Sequence, residues 1–177
     1  LCERYAVADV DSHTIEPADL WTSRVDPQWG DLVPHVRFHA RRQEDSWYIG
    51  DHKLYGVGAF AQARWPEFPP SHPRSLAEAF PPAIDAKARL DYNDTVGVHY
   101  QVLYPNILGF HSHVFLNHMR PELATDCVRA YNDWLVEWCL PLVKRGGTFL
   151  AMKGARVAEE LPGARKAMKF LGGGEPV

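Results

Sequence analysis

Tyr5-Ala-Val-Ala-Asp-Val-Asp-Ser-His13 is the stretch of sequence that decides the fold. It begins with mainly small and apolar residues and ends with polar ones, which predicts a strand that ends at a polar site. Side chains alternate between the two faces of a strand. One face is therefore predicted to carry Val7, Asp9, Asp11 and His13. Glu16-Pro17 then ends the strand.

Helices and strands alternate from residue 85 onward. Asp85 to about Thr95 is predicted to be a helix capped by Gly97, and His99–Tyr104 a strand that ends at Pro105. Such βα alternation is typical of a parallel sheet with helical connections.

Pro121–Leu140 gives the strongest helix signal in the chain, because apolar residues recur along it at helical spacing. Thr148–Met152 is predicted to be a third strand, and a further helix extends to about Leu171, restarted by Pro162. The apolar face of the long helix consists of Leu123, Cys127, Val128, Tyr131, Trp134, Leu135 and Trp138.

Residues 26–82 interrupt this alternation. A hairpin is predicted from Ser46–Ile49 and Lys53–Tyr55, with its turn at Gly50-Asp51. Six prolines in an aromatic-rich stretch then exclude a long helix or a central strand. We interpret 26–82 as an insertion or lid that packs on the main fold.

Chain length excludes a whole barrel. A (β/α)8 barrel has about 250 residues, and at least about 200, whereas this chain has 177. The predicted fold class is therefore α/β, an incomplete (β/α) barrel-type parallel sheet with a Pro/aromatic-rich insertion after the first strand.

Composition narrows the classes of function. The chain is 46% hydrophobic and 23% charged, as globular proteins are, and its net charge of −3 disfavours nucleic acid as a partner. No apolar run approaches the roughly 20 residues of a membrane span, and the start does not resemble a signal peptide. Three cysteines, without a CxxC pair, fit neither a disulfide framework nor a zinc finger. We therefore expect a cytoplasmic protein with no membrane partner.

Asp11 and His13 are the sharpest candidates for chemistry. Ligands two positions apart on a strand point the same way, and a carboxylate with an imidazole suits zinc, manganese or iron. The end of a parallel strand is also where α/β active sites form. The alternative is that Asp11 caps the next turn while His13 is simply packed.

Asp9-Val-Asp-Ser-His-Thr-Ile-Glu-Pro17 resembles the opening of the amidohydrolase-related family, in the branch of aminocarboxymuconate semialdehyde decarboxylase and the resorcylate decarboxylases. Further similar motifs are Ala88–Asp91, Gly97–Asn106 and Arg129–Leu135, so the resemblance covers about residues 5–138. It implies a metal-dependent hydrolase or decarboxylase of small carboxylated substrates. Asp11 and His13 would then hold a divalent metal, zinc or manganese, with the remaining His and Asp beyond residue 177.

The tail from about Trp134 is similar to a different family. Trp138–Gly154 with Ala155–Leu161 resembles the C-terminal part of the GidB-type small-subunit rRNA guanine-N7 methyltransferases, whose S-adenosylmethionine loop has no counterpart here. We interpret 1–138 as part of an amidohydrolase-type barrel and 139–177 as a strand-helix unit from a fused methyltransferase-like segment. The alternative is that 142–171 is only a third βα unit.

Four further residues are candidates for the pocket or for supporting the ligands. His111 and His113, with His118 nearby, could form a second ligand group, or else a solvated loop. Glu16 either orients His13 or only begins a helix. Asn106 either lines the pocket or makes an Asx turn.

Three functional hypotheses follow. The first is an amidohydrolase-type enzyme fragment that acts on a small-molecule substrate and has an incomplete site. The second is a methyltransferase remnant, and the third is a non-catalytic oligomerising protein. Self-association is expected, because an incomplete barrel would leave part of the Tyr131, Trp134 and Trp138 surface bare.

Overall fold

The computed structural model describes residues 5–110, 112–143, 145–146, 148–150 and 157–174. The fold is mixed α/β, with a two-stranded parallel sheet and a three-stranded antiparallel sheet. The strands are β1 (Ala8–His13), β2 (Pro34–His39), β3 (Glu44–Ile49), β4 (His52–Gly56) and β5 (Tyr100–Tyr104). The helices are α1 (Pro81–Ile84), α2 (Ala86–Val96), α3 (Ser112–His118), α4 (Pro121–Cys139) and α5 (Val157–Phe170).

β1, α2 and β5 form the parallel βαβ arrangement that the sequence predicts. β1 pairs with β5 in parallel, and α2 lies between them in the chain. The Asp85 carboxylate accepts a hydrogen bond from the backbone N–H of Ala88 at 2.6 Å and so caps the start of α2. Gly97 ends the helix with φ of +73°, a left-handed conformation that favours glycine.

The insertion contains one strand more than predicted. β2, β3 and β4 form an antiparallel meander in the order β2-β3-β4, with the predicted hairpin as its second half. Gly50 turns that hairpin with φ of +56°. Gly58 then passes so close to Pro73 that an added Cβ would lie 2.0 Å from the proline carbonyl oxygen. The proline-rich segment is therefore packed directly on the end of the meander.

The insertion and α4 share one apolar core. Trp21 is fully buried and its Nε1 donates a hydrogen bond to the Cys127 carbonyl at 3.0 Å. The Trp47 ring of β3 meets Trp21 edge-on, with the ring centroids 5.5 Å apart. Of the apolar α4 face expected from helical spacing, four side chains are buried: Leu123, Cys127, Tyr131 and Trp134. Leu135 and Trp138 are partly buried against the same core, and Val128 is exposed.

The aromatic side chains of α4 do not form the exposed surface that the sequence analysis expected. Tyr131 and Trp134 are buried, and Trp138 is partly buried against the same core. Large exposed apolar side chains lie at separate places along the chain, among them Phe68 and Phe170 at 90% exposure and Val10 and Tyr100 of the parallel sheet at 64% and 67%.

Two predictions for the tail are wrong. Residues 148–150 are not in a strand, and the remainder of the predicted strand lies outside the described residues. Pro162 does not restart a helix, because α5 runs through it as one element. Of the helices in the described ranges, none is long and apolar enough to cross a bilayer.

Candidate active site

The candidate site lies where β1 and β5 end side by side. His13 pairs with Tyr104 in the parallel register, and their ring centroids are 5.8 Å apart. Asp11 Oδ1 lies 3.9 Å from His13 Nε2. The Asp11 side chain is 91% exposed and that of His13 is 21% exposed. A carboxylate reachable from solvent therefore lies beside an imidazole at the carboxyl end of a parallel strand.

A β-bulge corrects the predicted alternation along β1. The register shifts between Asp9 and Ser12, so Asp9 does not align with Asp11 and His13. Asp9 instead accepts hydrogen bonds from the Ser12 hydroxyl at 2.5 Å and from the backbone N–H of Asp11 at 3.1 Å. These two hydrogen bonds hold the pKa of Asp9 below its ordinary value, and the bond from the Ser12 hydroxyl has the larger effect.

The Asp9 carboxylate belongs to a polar network that the sequence did not reveal. Gln101 of β5 donates from Nε2 to Ser12 Oγ at 2.9 Å and to Asp9 Oδ2 at 3.3 Å. Asn93 of α2 donates to Gln101 Oε1 at 2.8 Å. Only the register of β1 against β5 brings these residues together, so no local sequence signal could have found them.

Glu16 connects the end of β1 to the end of β5. Its buried carboxylate accepts hydrogen bonds from the backbone N–H groups of Asn106 at 2.9 Å and Ile107 at 3.1 Å, and from Asn106 Nδ2 at 3.3 Å. Asn106 Nδ2 also donates to the Thr14 carbonyl at 2.6 Å. Burial raises the pKa of Glu16 above its ordinary value, although these donors oppose the shift. Asn106 is itself 1% exposed, so it faces the interior rather than an open pocket.

Arg89 holds the last residue of β1 from the other side. Its Nη2 donates to the His13 carbonyl at 2.6 Å, and its Nε donates to the Pro82 carbonyl at 2.9 Å. The guanidinium carbon lies 5.9 Å from the centre of the Trp138 ring. Burial lowers the pKa of this guanidinium, and the Asp9 charge partly offsets that effect. The sequence placed Arg89 only within a family motif and gave it no role.

Two of the three candidate histidines lie on one helix. His111 lies outside the described residues. His113 and His118 lie on α3, which replaces the solvated loop considered from the sequence. The His118 ring stacks on His52 of β4, with 4.6 Å between the ring centroids.

The donor set supplies half of a coordination shell. Carboxylate oxygen and imidazole nitrogen suit zinc or manganese, but zinc sites use three or four protein ligands. Over the described parts of the chain, no three His, Cys, Asp or Glu side chains come together as a possible metal site. Asp11 and His13 therefore fit a divalent cation in kind, but not in number.

Two described cavities lie away from this pair. One of about 310 Å³ lies between the segment after β1 and α4, with Arg24, Asp126 and Arg129 in its wall. The other, of about 160 Å³, lies between α2 and the end of α4 and includes Arg89 and Trp138. Neither cavity is lined by Asp11 or His13.

A solved amidohydrolase structure from Mycobacterium avium subsp. paratuberculosis K-10 is similar to this fold. It matches with a TM-score of 0.59 and 19% sequence identity, over 92% of this chain and 47% of that one. This chain shares its fold with part of that amidohydrolase. A complete barrel is not formed by the described strands.

Short stretches of sequence are similar to another class of protein. The chain is 62% identical over 39 residues to the ribosomal RNA small subunit methyltransferase G of Alkaliphilus oremlandii, and 54% identical over 52 residues to that of Lactobacillus acidophilus. These matches cover 22% and 29% of this chain, but only 16% and 22% of those proteins. No protein-family model matches the chain.

Proposed function

We propose that this chain carries two ligands of an amidohydrolase-type metal site, Asp11 and His13, for the hydrolysis or decarboxylation of a small carboxylated substrate. The observation that carries the proposal is the 3.9 Å approach of Asp11 Oδ1 to His13 Nε2 at the end of a parallel strand. The fold shared with part of an amidohydrolase supports the same assignment. The nature of the substrate and the choice of zinc or manganese rest on the sequence resemblance.

Each residue of the proposed site has a separate task. A bound divalent cation would polarise a substrate oxygen or acidify a water molecule. The solvent-exposed Asp11 carboxylate can bind without leaving any contact in the core. The backbone of His13 is fixed by Arg89, and its ring lies beside Tyr104. Glu16 holds the segments after β1 and β5 together, and so supports the pair indirectly.

Metal content tests the proposal. The protein is equilibrated with Zn²⁺ or Mn²⁺, freed of loosely bound ions, and analysed for metal per chain by mass spectrometry. The double variant Asp11→Ala/His13→Ala should lose the bound metal. Asp51→Ala/His52→Ala is the control, since it removes one carboxylate and one imidazole at exposed positions away from the site, and it should keep the metal. Equal metal content in wild type and Asp11→Ala/His13→Ala would overturn the proposal.

A second candidate function is suggested by the identity of 54–62% to rRNA methyltransferases over short segments. On that hypothesis the tail derives from a methyltransferase and retains some contact with S-adenosylmethionine. Titration calorimetry with S-adenosylmethionine tests this directly, and saturable heat is the expected result. A flat titration at high protein concentration would remove this candidate without affecting the metal site.

A further inference from the structure

We propose that the cavity between α2 and the end of α4 binds a small carboxylic acid with one ring, whose carboxylate lies on the Arg89 guanidinium. This site is separate from Asp11 and His13 and requires no metal. The inference therefore goes beyond the proposed function and can be tested independently of it.

The wall of this cavity combines one cation with mainly apolar side chains. Among the eight described residues that line it, only Arg89 is charged. Leu90 and Trp138 supply apolar surface, and Asn93 is polar but neutral. Burial raises the pKa of Cys139, which also lines the cavity, to about 11, so this thiol carries no negative charge at neutral pH. Ligand pockets typically combine an apolar wall with a few fixed polar groups of this kind.

The hydrogen bonds of Arg89 leave its positive charge without an adjacent anion. Nε donates to the Pro82 carbonyl and Nη2 to the His13 carbonyl, and both acceptors are uncharged. Within the described ranges, Nη1 makes no hydrogen bond and no carboxylate forms an ion pair with this guanidinium. Burial lowers the pKa of Arg89, and the Asp9 charge offsets this effect only in part. Because buried charges are normally paired, a carboxylate ligand would supply the missing partner.

The volume of the cavity sets the size of the acid. It is about 160 Å³, whereas pockets for drug-sized ligands begin at about 300 Å³. In another protein, an apolar cavity of about 150 Å³ holds one benzene molecule. The Trp138 ring lies 5.9 Å from the guanidinium carbon of Arg89, so a ligand ring packed near Trp138 can place its carboxylate on Arg89. Benzoate is the simplest probe with this shape and charge.

The larger cavity does not offer the same chemistry. Its wall carries both signs of charge, including Arg24, Arg129 and Asp126. Arg129 lies 3.4 Å from Asp126, and Arg24 pairs with Glu137 at 2.6 Å. Since these arginines already have carboxylate partners, an added carboxylate gains little there. Arg129 therefore provides the control for a general effect of removing an arginine.

Titration calorimetry with benzoate, in EDTA so that no metal contributes, tests the inference. Wild type should bind one benzoate per chain. Benzyl alcohol has the same ring without the charge, and it should bind at least about tenfold more weakly. Arg89→Gln should abolish this preference for benzoate. Ala86→Phe narrows the cavity but keeps Arg89, and it should weaken benzoate binding by at least about tenfold, whereas Arg129→Gln should bind benzoate as wild type does.

Three results would overturn the inference. The first is the absence of saturable heat with benzoate in folded wild type at two temperatures. The second is equal affinity for benzoate and benzyl alcohol, which would contradict the role of Arg89. The third is unchanged benzoate binding in Ala86→Phe, which would place the ligand elsewhere. Arg89 also holds two carbonyls, so if circular dichroism shows Arg89→Gln to be unfolded, Ala86→Phe and benzyl alcohol still decide.

Discussion

Glu16 provides the sharpest test of how the ends of β1 and β5 are held together. Replacing it with alanine removes the acceptor of three hydrogen bonds, donated by the backbone of Asn106 and Ile107 and by the Asn106 side chain. An unsatisfied buried donor costs about 1–3 kcal/mol. Because the third bond is long, we expect Glu16→Ala to lower the free energy of unfolding by about 4 kcal/mol. Urea denaturation followed by tryptophan fluorescence measures the loss.

Glu16→Gln separates the shape of this side chain from its charge. The glutamine oxygen can still accept from both backbone donors, while its NH2 group faces Asn106 Nδ2. The expected loss is therefore smaller, about 1–2 kcal/mol. If Glu16→Ala costs less than about 1 kcal/mol, the carboxylate does not hold these segments together.

Stability against pH gives a second readout for Glu16. Burial raises its pKa in the folded state. Between the ordinary value of 4.5 and that raised value, the folded protein keeps a proton that the unfolded chain has lost. This group therefore makes stability fall as pH rises through that window, by at most about 1.4 kcal/mol per pH unit. Glu16→Gln should remove this slope.

Glu137 is the matched control with the opposite sign. The hydrogen bonds from Arg24 hold the pKa of Glu137 below its ordinary value. The ionised form of Glu137 contributes stability that is fully present above the ordinary pKa of 4.5 and is lost as the pH falls through the lower pKa of the folded state. Glu137→Gln should therefore remove a slope in acid and leave that of Glu16. An unchanged pH profile in Glu16→Gln would refute the account of this carboxyl group.

Further predictions concern the core, the helix ends and the thiols. Trp21→Ala should lower the free energy of unfolding by about 3–5 kcal/mol, because it leaves a cavity at a fully buried position. Urea denaturation measures this loss, and a loss below about 1.5 kcal/mol would contradict the shared core. Asp85→Ala should cost about 1 kcal/mol through loss of the cap. Gly97→Ala should lower the free energy of unfolding by about 1 kcal/mol, because alanine is strained at the left-handed φ of +73°. Unchanged stability in Asp85→Ala or in Gly97→Ala would contradict the role given to that residue at the end of α2. Burial raises the pKa of Cys127 to about 12 and of Cys139 to about 11, so iodoacetamide at pH 8 should modify both thiols slowly in the native protein and rapidly in guanidinium. Equal rates in both conditions would refute the burial of these thiols.

The elements that the sequence predicted well are those defined by local chemistry. α2 has an N-cap and a left-handed C-terminal glycine, and α4 repeats apolar residues at helical spacing. β5 ends where Pro105 cannot continue the ladder. The order of these elements was sufficient to predict the parallel pairing of β1 with β5.

What the sequence did not reveal depends on contacts between distant segments. The bulge at Asp9 is fixed by hydrogen bonds to Ser12 and Asp11 and by the register against β5. Glu16 meets Asn106 only because the two strands end together. The sequence analysis did not predict β2, although Val36 and Phe38 alternate with polar residues there, and the pairing with β3 defines this strand. The closeness of Asp11 to His13 could be predicted because a two-residue spacing is a local property of a strand.

Zinc-edge X-ray absorption tests the central claim most directly, since it identifies the atoms bound to the metal. For zinc-loaded wild type, the account predicts a first shell of oxygen and nitrogen at about 2.0–2.1 Å, with imidazole scattering that is lost in His13→Ala. A first shell of sulfur at about 2.3 Å, or a spectrum unchanged in His13→Ala, would contradict the assignment of Asp11 and His13 as ligands.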